Sequence, residues 1–349
     1  MAEHEGAASR APAFAGVRRA RPTMDDVAAV AGVSRGTVSR VLNGGHNVSK
    51  PALLAVQRAI RKTGYVVNQH ARSLVTQRSQ SVAFVLSEPQ ERLFEDPNFH
   101  MLLRGCSSAL GERDITLVMA VAGTDEERKR VSRYVTSGHV DGVLLVSAHR
   151  GNPLLDEWRG RGVPLVACGR PMDHERDLAF VAADDRDGAR QMVRYLVGQG
   201  RQRIGMITGP LDTPGGVDRL AGYLDVLGDA DRDRMVVTGD YVRDSGEDAM
   251  ERLLAQAPDI DAVFVASDLM AMGALAALRR AGRRVPQDVA VGGFDDSSVA
   301  TLARPALTTV RQPMERISVE MVRLLMDIIA GKPPAAVILP TAIVRRDSA

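Results

Sequence analysis

The chain has 349 residues, 45% of them apolar and 25% charged, which allows about two or three domains with their own cores and excludes a disordered or low-complexity protein. Its two cysteines, Cys106 and Cys168, stand far apart and in no CxxC pattern, which argues against a disulfide framework or a zinc site and fits a reducing compartment. No apolar run marks a secretory signal or a membrane span, so a cytoplasmic protein is expected.

The net charge of +2 conceals an asymmetry: residues 1–78 carry 12 Lys or Arg against 4 Asp or Glu, a balance of +8, and the remainder carries −6. A basic front on an acidic body points to a polyanion as partner of the first segment. A basic tail would give the same count, but most of these cations lie beyond residue 20, in patterned sequence.

Residues 1–21 read as a disordered tail. Thr23 followed by Asp26 predicts a capping box, opening a helix whose Val27, Val30 and Ala31 share a face. Gly32 suits a left-handed helix end, and Val33 can fold into the corner. Ser34 is placed to cap a second helix, with Val38, Val41 and Leu42 as its buried stripe and Arg35, Gly36, Ser39 and Arg40 opposite. Asn43-Gly44-Gly45 stops it. Ser49 then caps a third helix, with Pro51 in its first turn, Leu54, Val56 and Ile60 along it, and Gly64 at its end. Three short helices around so tight a corner predict a helix-turn-helix over 22–67, the second helix lying in the DNA major groove. Arginine suits that place because its planar fork bonds guanine O6 and N7 together, worth roughly 1–3 kcal/mol of discrimination. The bland alternative is a solvated face on a small helical domain.

The stretch "TMDDVAAVAGVSRGTVSRVLNG" resembles the DNA-binding head of the lactose-repressor/galactose-repressor family of bacterial transcription regulators, and the likeness continues through "NVS" and "GYVVNQHARSLVTQRS". The resemblance implies DNA contacts from Thr23, Ser34, Arg35, Gly36, Thr37, Ser39, Arg40 and Asn43. It further implies that 68–79 form a hinge helix and linker, with Asn68 and Ala71 near the minor groove and Leu74 wedged into the central base step. A hinge of about two turns is too short to be stable alone, so DNA and a partner helix must complete it. Leu74 as an ordinary buried leucine is the alternative. Gly36 departs from the family pattern, where a larger side chain often helps read the operator, so base preference cannot be carried over.

From Ser81 the rhythm changes. The apolar runs "SVAFVL" (81–86), "ITLVMA" (115–120), "GVLLVS" (142–147) and "VPLVAC" (163–168) alternate with amphipathic helical stretches. A second series follows with "IGMIT" (204–208), "MVVT" (ending at 238), "AVFVA" (262–266) and "VAVGG" (289–293). Continuous apolar strands between helices predict two doubly wound parallel-sheet lobes, with ligand chemistry at the strands' carboxyl ends. The fold class is therefore α/β behind an all-α head. The segments "GPLDTPGGVDRLAGY", "VASDLMAMGAL", "RVPQDVAVGGFDD" and "PALTTVRQP" are similar to signatures of the same family, whose core is of periplasmic-binding-protein-like type. The resemblance covers residues 22–346. It implies a core over 80–349, the first lobe near 80–182 and 309–332, the second near 183–308 and 333–346, with a third crossing after Gly331.

The resemblance also implies effector contacts from Arg219 and Asp295, with Tyr241 and Phe99 as aromatic walls and Arg170 at a loop facing the cleft. Each has a plainer alternative. Arg219 can pair with Asp218 or Asp225 on its own helix, Asp295 can cap the helix near Ser297, and Tyr241 and Phe99 can be core aromatics. Asp268 is read as a cap for "LMAMGALAAL". Gly215-Gly216 is read as a turn, because the full glycine fingerprint of a nucleotide loop is missing.

Enzymatic chemistry has no support: the seven histidines are scattered and neither GxSxG nor HExxH occurs. The expectation is a homodimeric repressor of a sugar-utilisation or related operon. It would bind double-stranded operator DNA under a small-molecule effector, a sugar before a nucleobase, with no cofactor, metal or membrane. A regulator under a protein co-repressor and a cytosolic solute-binding protein remain as rivals. The end "RRDSA" carries no apolar heptads, which favours a dimer over a coiled-coil tetramer.

Overall fold

The computed structural model describes residues 22–42, 48–65 and 78–349. The expected tail, Asn43, and the hinge with Asn68, Ala71 and Leu74 lie outside the described residues. The chain divides into two units, Met1–Gln77 and Arg78–Ala349.

In the first unit, α1 (Met24–Ala31), α2 (Arg35–Leu42) and α3 (Lys50–Thr63) enclose a small core of Val27, Ala28, Val38, Val56, Ala59 and Tyr65. The capping box at Thr23 and Asp26 forms, and its hydrogen bond to the Thr23 N–H, with one to the Thr23 hydroxyl, holds the Asp26 carboxyl below the usual range. Gly32 ends α1 at φ 66°, where a Cβ is strained, and its N–H bonds Ala28 O. Three expectations need correction. Val30 and Leu54 are 46% and 50% exposed, their core places taken by Ala28 and Ala59, whose small side chains let the helices approach closely. The Ser49 hydroxyl makes no capping bond.

The second unit contains two lobes. The first holds β1 (Ser81–Leu86), α4 (Gln90–Glu95), α5 (Pro97–Gly111), β2 (Thr116–Val121), α6 (Asp125–Tyr134), β3 (Gly142–Val146), α7 (Pro153–Gly160), β4 (Leu165–Cys168) and β5 (Ala179–Ala183). The second holds α8 (Asp185–Gly198), β6 (Ile204–Thr208), α9 (Pro214–Leu227), α10 (Arg232–Met235), β7 (Val236–Thr238), α11 (Arg243–Gln256), β8 (Ala262–Val265), α12 (Asp268–Arg280), β9 (Ala290–Asp295), α13 (Ser298–Leu302) and β10 (Thr308–Arg311). The chain then returns to the first lobe with α14 (Met314–Ile329) and β11 (Ala336–Leu339), and ends in the second with β12 (Ala342–Val344).

The sheet orders are β11-β5-β4-β3-β1-β2 and β12-β10-β9-β8-β6-β7, all parallel except β12, which runs antiparallel to β10. Each order reverses direction beside its first strand, so β1/β3 and β6/β8 are switch points where a crevice opens. Burial follows from cover on both faces. Val82, Phe84 and Leu86 of β1 pack toward α5 and α14, while Ala83 and Val85 pack with Trp158 on the opposite side.

The third crossing is not after Gly331. β11 pairs with β5, from Ala336 beside Phe180 to Leu339 beside Ala183, so the chain leaves the first lobe only after Leu339. An edge strand that is largely exposed, preceded by Pro333-Pro334, carries too little apolar signal to be told from a linker.

Candidate functional site

In the head, Ser34 caps α2 by accepting from the Thr37 N–H at 3.2 Å, and its hydroxyl lies 3.0 Å from that of Thr37. Arg35 reaches Asp25 at 3.7 Å, and Arg40 donates from Nε to Gly36 O at 3.3 Å. Ser34, Arg35, Gly36 and Arg40 are exposed, with Thr37 and Ser39 half-buried beside them. A shallow groove lined by Ser34, Thr37, Arg40, Val48 and Ser49 runs between the starts of α2 and α3. Such exposed arginines beside a hydroxyl-rich helix start can meet base edges and phosphate together.

In the body, a cavity of about 160 Å³ lies between the lobes, roughly ten times the space a single water needs. Its walls are the segments that follow strand carboxyl ends: Arg92, Asp96, Asn98 and Phe99 after β1, Ser147 after β3, Asp185 after β5, Thr213 and Gly215 after β6, Tyr241 after β7, Ser267 after β8 and Asp295 at the end of β9. Arg219 on α9 is 6% exposed. Its Nε donates to Asp185 Oδ1 at 2.8 Å, Nη1 donates to Ala266 O, and Asp295 lies at 3.8 Å. Burial opposes the charge of Arg219, yet Asp185, Tyr241 and Asp295 outweigh it and hold the guanidinium above its ordinary range. Burial raises the carboxyls of Asp185 and Asp295, with Arg219 opposing. Asp295 also accepts from Gln312 Nε2 at 2.7 Å.

Backbone strain gathers here: Ser147, Tyr241 and Asp295 have φ of 59°, 71° and 123°, unfavourable for side-chain-bearing residues. The Tyr241 ring rests on the Gly209 backbone, where an added Cβ would lie 2.0 Å from its Cζ.

Four of the five expected cavity residues, Phe99, Arg219, Tyr241 and Asp295, come together. Phe99 is 8% exposed and belongs to the first lobe's core as well as the cavity wall. Arg170 does not line the cavity. Its guanidinium is held by Asp218 at 2.7 Å and Glu175 at 2.8 Å, so it ties the lobes together. Asp218 and Asp225 are therefore engaged by Arg170 and Arg186, not by Arg219. Asp268 is not the cap of α12: Ser267 is, and the buried Asp268 carboxylate accepts from Ser297 and Thr309. Gly215 and Gly216 lie in the first turn of α9, not in a turn before it. Asp185 was missed, although an Asp pair following "AFVAA" directly after a strand was a readable signal.

Further ties cross the cleft. His149 lies 3.1 Å from Glu88 of its own lobe and 2.9 Å from Asp212 of the other, and Arg150 N donates to Asp212 O at 2.7 Å. Hydrogen bonding to Glu88 raises His149 to about 9; burial opposes this and Asp212 adds to it. Among the described residues no helix is long and apolar enough to cross a membrane, and no three potential metal ligands cluster.

Comparison with known proteins fits both units. The model of bacterial regulatory proteins of the lacI family matches residues 23–68, and that of a periplasmic binding protein-like domain matches 193–349. The HTH-type transcriptional regulator CelR of Thermobifida fusca is 47% identical over 337 residues, covering 95% of this chain and 99% of the relative. A transcriptional regulator CelR–cellobiose complex superposes with TM-score 0.76 at 45% identity, covering 94% of this chain and 100% of that one. A lac repressor dimer bound to operator and the anti-inducer ONPF gives TM-score 0.82 at 26% identity, covering 94% and 98%. The reader head and the two-lobed body with its cavity have one explanation: the chain belongs to the lacI family of bacterial regulatory proteins and is a DNA-binding regulator of transcription, not an enzyme.

Proposed function

We propose that the chain is a repressor that binds a pseudo-palindromic operator as a homodimer, and that a neutral sugar of the cellobiose type in the interlobe cavity sets its affinity for DNA. The observation that carries this reading is the mixed lining of the cavity, where Arg219 sits among Asp185, Asp295 and Gln312 in a chain 45% identical to a regulator solved with cellobiose. A sugar hydroxyl both donates and accepts, so carboxylates can take its hydrogen while a guanidinium supplies one. An anionic ligand would face three carboxyl groups, Asp96, Asp185 and Asp295, against two arginines, Arg92 and Arg219. The effector set is Phe99, Arg219, Tyr241 and Asp295, joined by Asp185.

The DNA set is Thr23, Ser34, Arg35, Gly36, Thr37, Ser39 and Arg40, with Asn43, Asn68, Ala71 and Leu74 assigned by family resemblance alone. Two such heads in a symmetric dimer read two half-sites. The effector acts through different affinities for two lobe arrangements, which favour different placements of the heads.

The test is selection of bound duplexes from a random pool, followed by titration of cellobiose, glucose, ribose and purine bases against the selected site. A symmetric site whose binding shifts with cellobiose supports the reading. A symmetric site that no sugar shifts removes the effector part, and no enriched duplex at modest salt removes the reader.

A further inference from the structure

Asp295 enters the cavity from the end of β9 with φ 123°, and Asp296 follows it at φ 57°. Two successive side-chain-bearing residues at positive φ relax unless their surroundings over-determine them. Gln312 holds the first: its N–H donates to Asp295 O at 3.2 Å and its Nε2 to Asp295 Oδ1 at 2.7 Å. Asp296 lies behind the wall, and two arginines hold its carboxylate, one at each oxygen. Arg311 Nε donates to Oδ2 at 2.6 Å, and Arg346 Nη2, from the segment after β12, donates to Oδ1 at 2.5 Å. The Arg311 side chain is 60% exposed, whereas those of Arg346 and Asp296 are 17% and 8% exposed. Arg346 is itself fixed. Its Nη1 donates to Leu307 O at 2.8 Å, and its N–H donates to the Thr308 hydroxyl at 2.9 Å. Solvent screens so shielded a pair far less than it screens an exposed one.

We infer that Arg346 is a positioning residue for effector binding: by gripping Asp296 from behind, it holds Asp295 in the strained geometry that aims its carboxyl into the cavity. This rests on the sugar-effector reading and adds to it a residue that does not line the cavity. Without Arg346, Asp296 keeps only the exposed Arg311, and the backbone of 295–296 is released toward negative φ. The Asp295 carboxyl then turns away from Gln312 and from Arg219, 3.8 Å off. A ligand that needs the aimed carboxyl binds only the fraction of molecules that still present it, so its apparent affinity falls by that fraction. Docking of the segment as a whole is a separate matter, because Ser348 anchors it independently. The buried Ser348 hydroxyl donates to Val291 O at 2.6 Å on β9 and accepts from the Thr308 N–H at 2.8 Å on β10. Its backbone oxygen accepts from the Val291 N–H at 2.8 Å. Ser348 thus keeps the segment on the sheet, while Arg346 sets the direction of Asp295.

The test uses the full chain with cellobiose as the probe, read by titration calorimetry beside thermal unfolding of the sugar-free protein. Arg346→Gln removes the charge, Arg346→Lys keeps it, Asp296→Asn breaks the same pair from the other side, and Ser348→Ala loosens the segment elsewhere. Arg346→Gln is expected to bind about tenfold more weakly, the loss produced when about one molecule in ten keeps the aimed carboxyl. Arg346→Lys should recover to within about threefold of wild type, since its ammonium restores a cation beside Asp296. Asp296→Asn should lose about as much as Arg346→Gln, and the double variant no more than the weaker single, because both act along one path. Ser348→Ala should melt at lower temperature yet bind within about twofold of wild type. If Arg346→Gln fails to fold, Asp296→Asn carries the test alone. Wild type that binds cellobiose, with the folded Arg346 and Asp296 variants within twofold of it, overturns the positioning role and leaves the effector reading intact. Additive losses in the double variant, or an equal loss in Ser348→Ala, overturn it as well, by making the effect one of general docking. Wild type that binds neither cellobiose nor any other neutral sugar overturns the effector reading, and the positioning role with it.

Discussion

The guanidinium of Arg219 sits over the ring of Phe294, its central carbon 3.7 Å from the ring centroid. Phe294 packs in the second lobe's core, so the arginine is aimed into the cavity by the same ring that helps close the sheet beneath it. A cation on a desolvated aromatic face gains about 2 kcal/mol, which offsets part of the cost of burying the charge. Arg219→Lys is expected to weaken effector binding at least tenfold, because an ammonium can neither stack nor fork. Arg219→Ala leaves Asp185 and Asp295 without their cation and is expected to destabilise the body by about 3–5 kcal/mol. Calorimetric titration and urea unfolding check the two outcomes, and wild-type affinity in Arg219→Lys would remove the residue from the site.

Gly209 has a narrower task. Its missing Cβ leaves the space filled by the Tyr241 ring, so Gly209→Ala must push that ring toward the cavity. Loss of roughly tenfold or more in effector affinity is expected, with a stability loss of about 1–3 kcal/mol from overpacking. DNA affinity without effector should change little. Comparing sugar titrations with operator binding of the same variant separates these effects.

His149 makes the closed lobes sensitive to pH. Its folded pKa is raised to about 9 from an ordinary 6.5 by the Glu88 hydrogen bond, against burial and with Asp212 adding. The imidazolium therefore contributes fully below about pH 6.5, and the contribution is lost as pH rises through about 9. Glu88 stays ionised, since the His149 and Ser147 hydrogen bonds outweigh its burial. Solvent screening at this half-buried site reduces the effect to about 1 kcal/mol. Urea midpoints at pH 6.5, 8 and 9.5 should fall more steeply for wild type than for His149→Gln. Parallel slopes would mean that this histidine does not titrate in the window.

Arg40 stands exposed on α2, and its Nε donates to Gly36 O. Arg40→Ala is expected to weaken binding to a selected operator by about 1–3 kcal/mol and binding to random duplex by much less. Fluorescence anisotropy on both duplexes at one salt concentration decides it. Equal losses would make Arg40 a phosphate contact without a base-reading role.

The sequence by itself determined the elements that depend on neighbouring residues: the capping box at Thr23 and Asp26, the Gly32 corner, and the apolar strands of both lobes. These need only hydrogen bonds and periodicity within a few positions, and such signals survive in one dimension. The family resemblance of the segments around them also pointed to Arg219, Tyr241 and Asp295 as candidates. Only the tertiary structure decided which charged groups meet. Arg170 left the cavity for Asp218, Asp185 entered it to hold Arg219, and Asp268 turned from a cap into a buried tie to Thr309. It also decided that β11 belongs with β5, since an edge strand of four residues behind two prolines gains its identity from a partner about 150 positions away. Ion pairs and edge strands are fixed by through-space proximity, and proximity exists only after both lobes have folded.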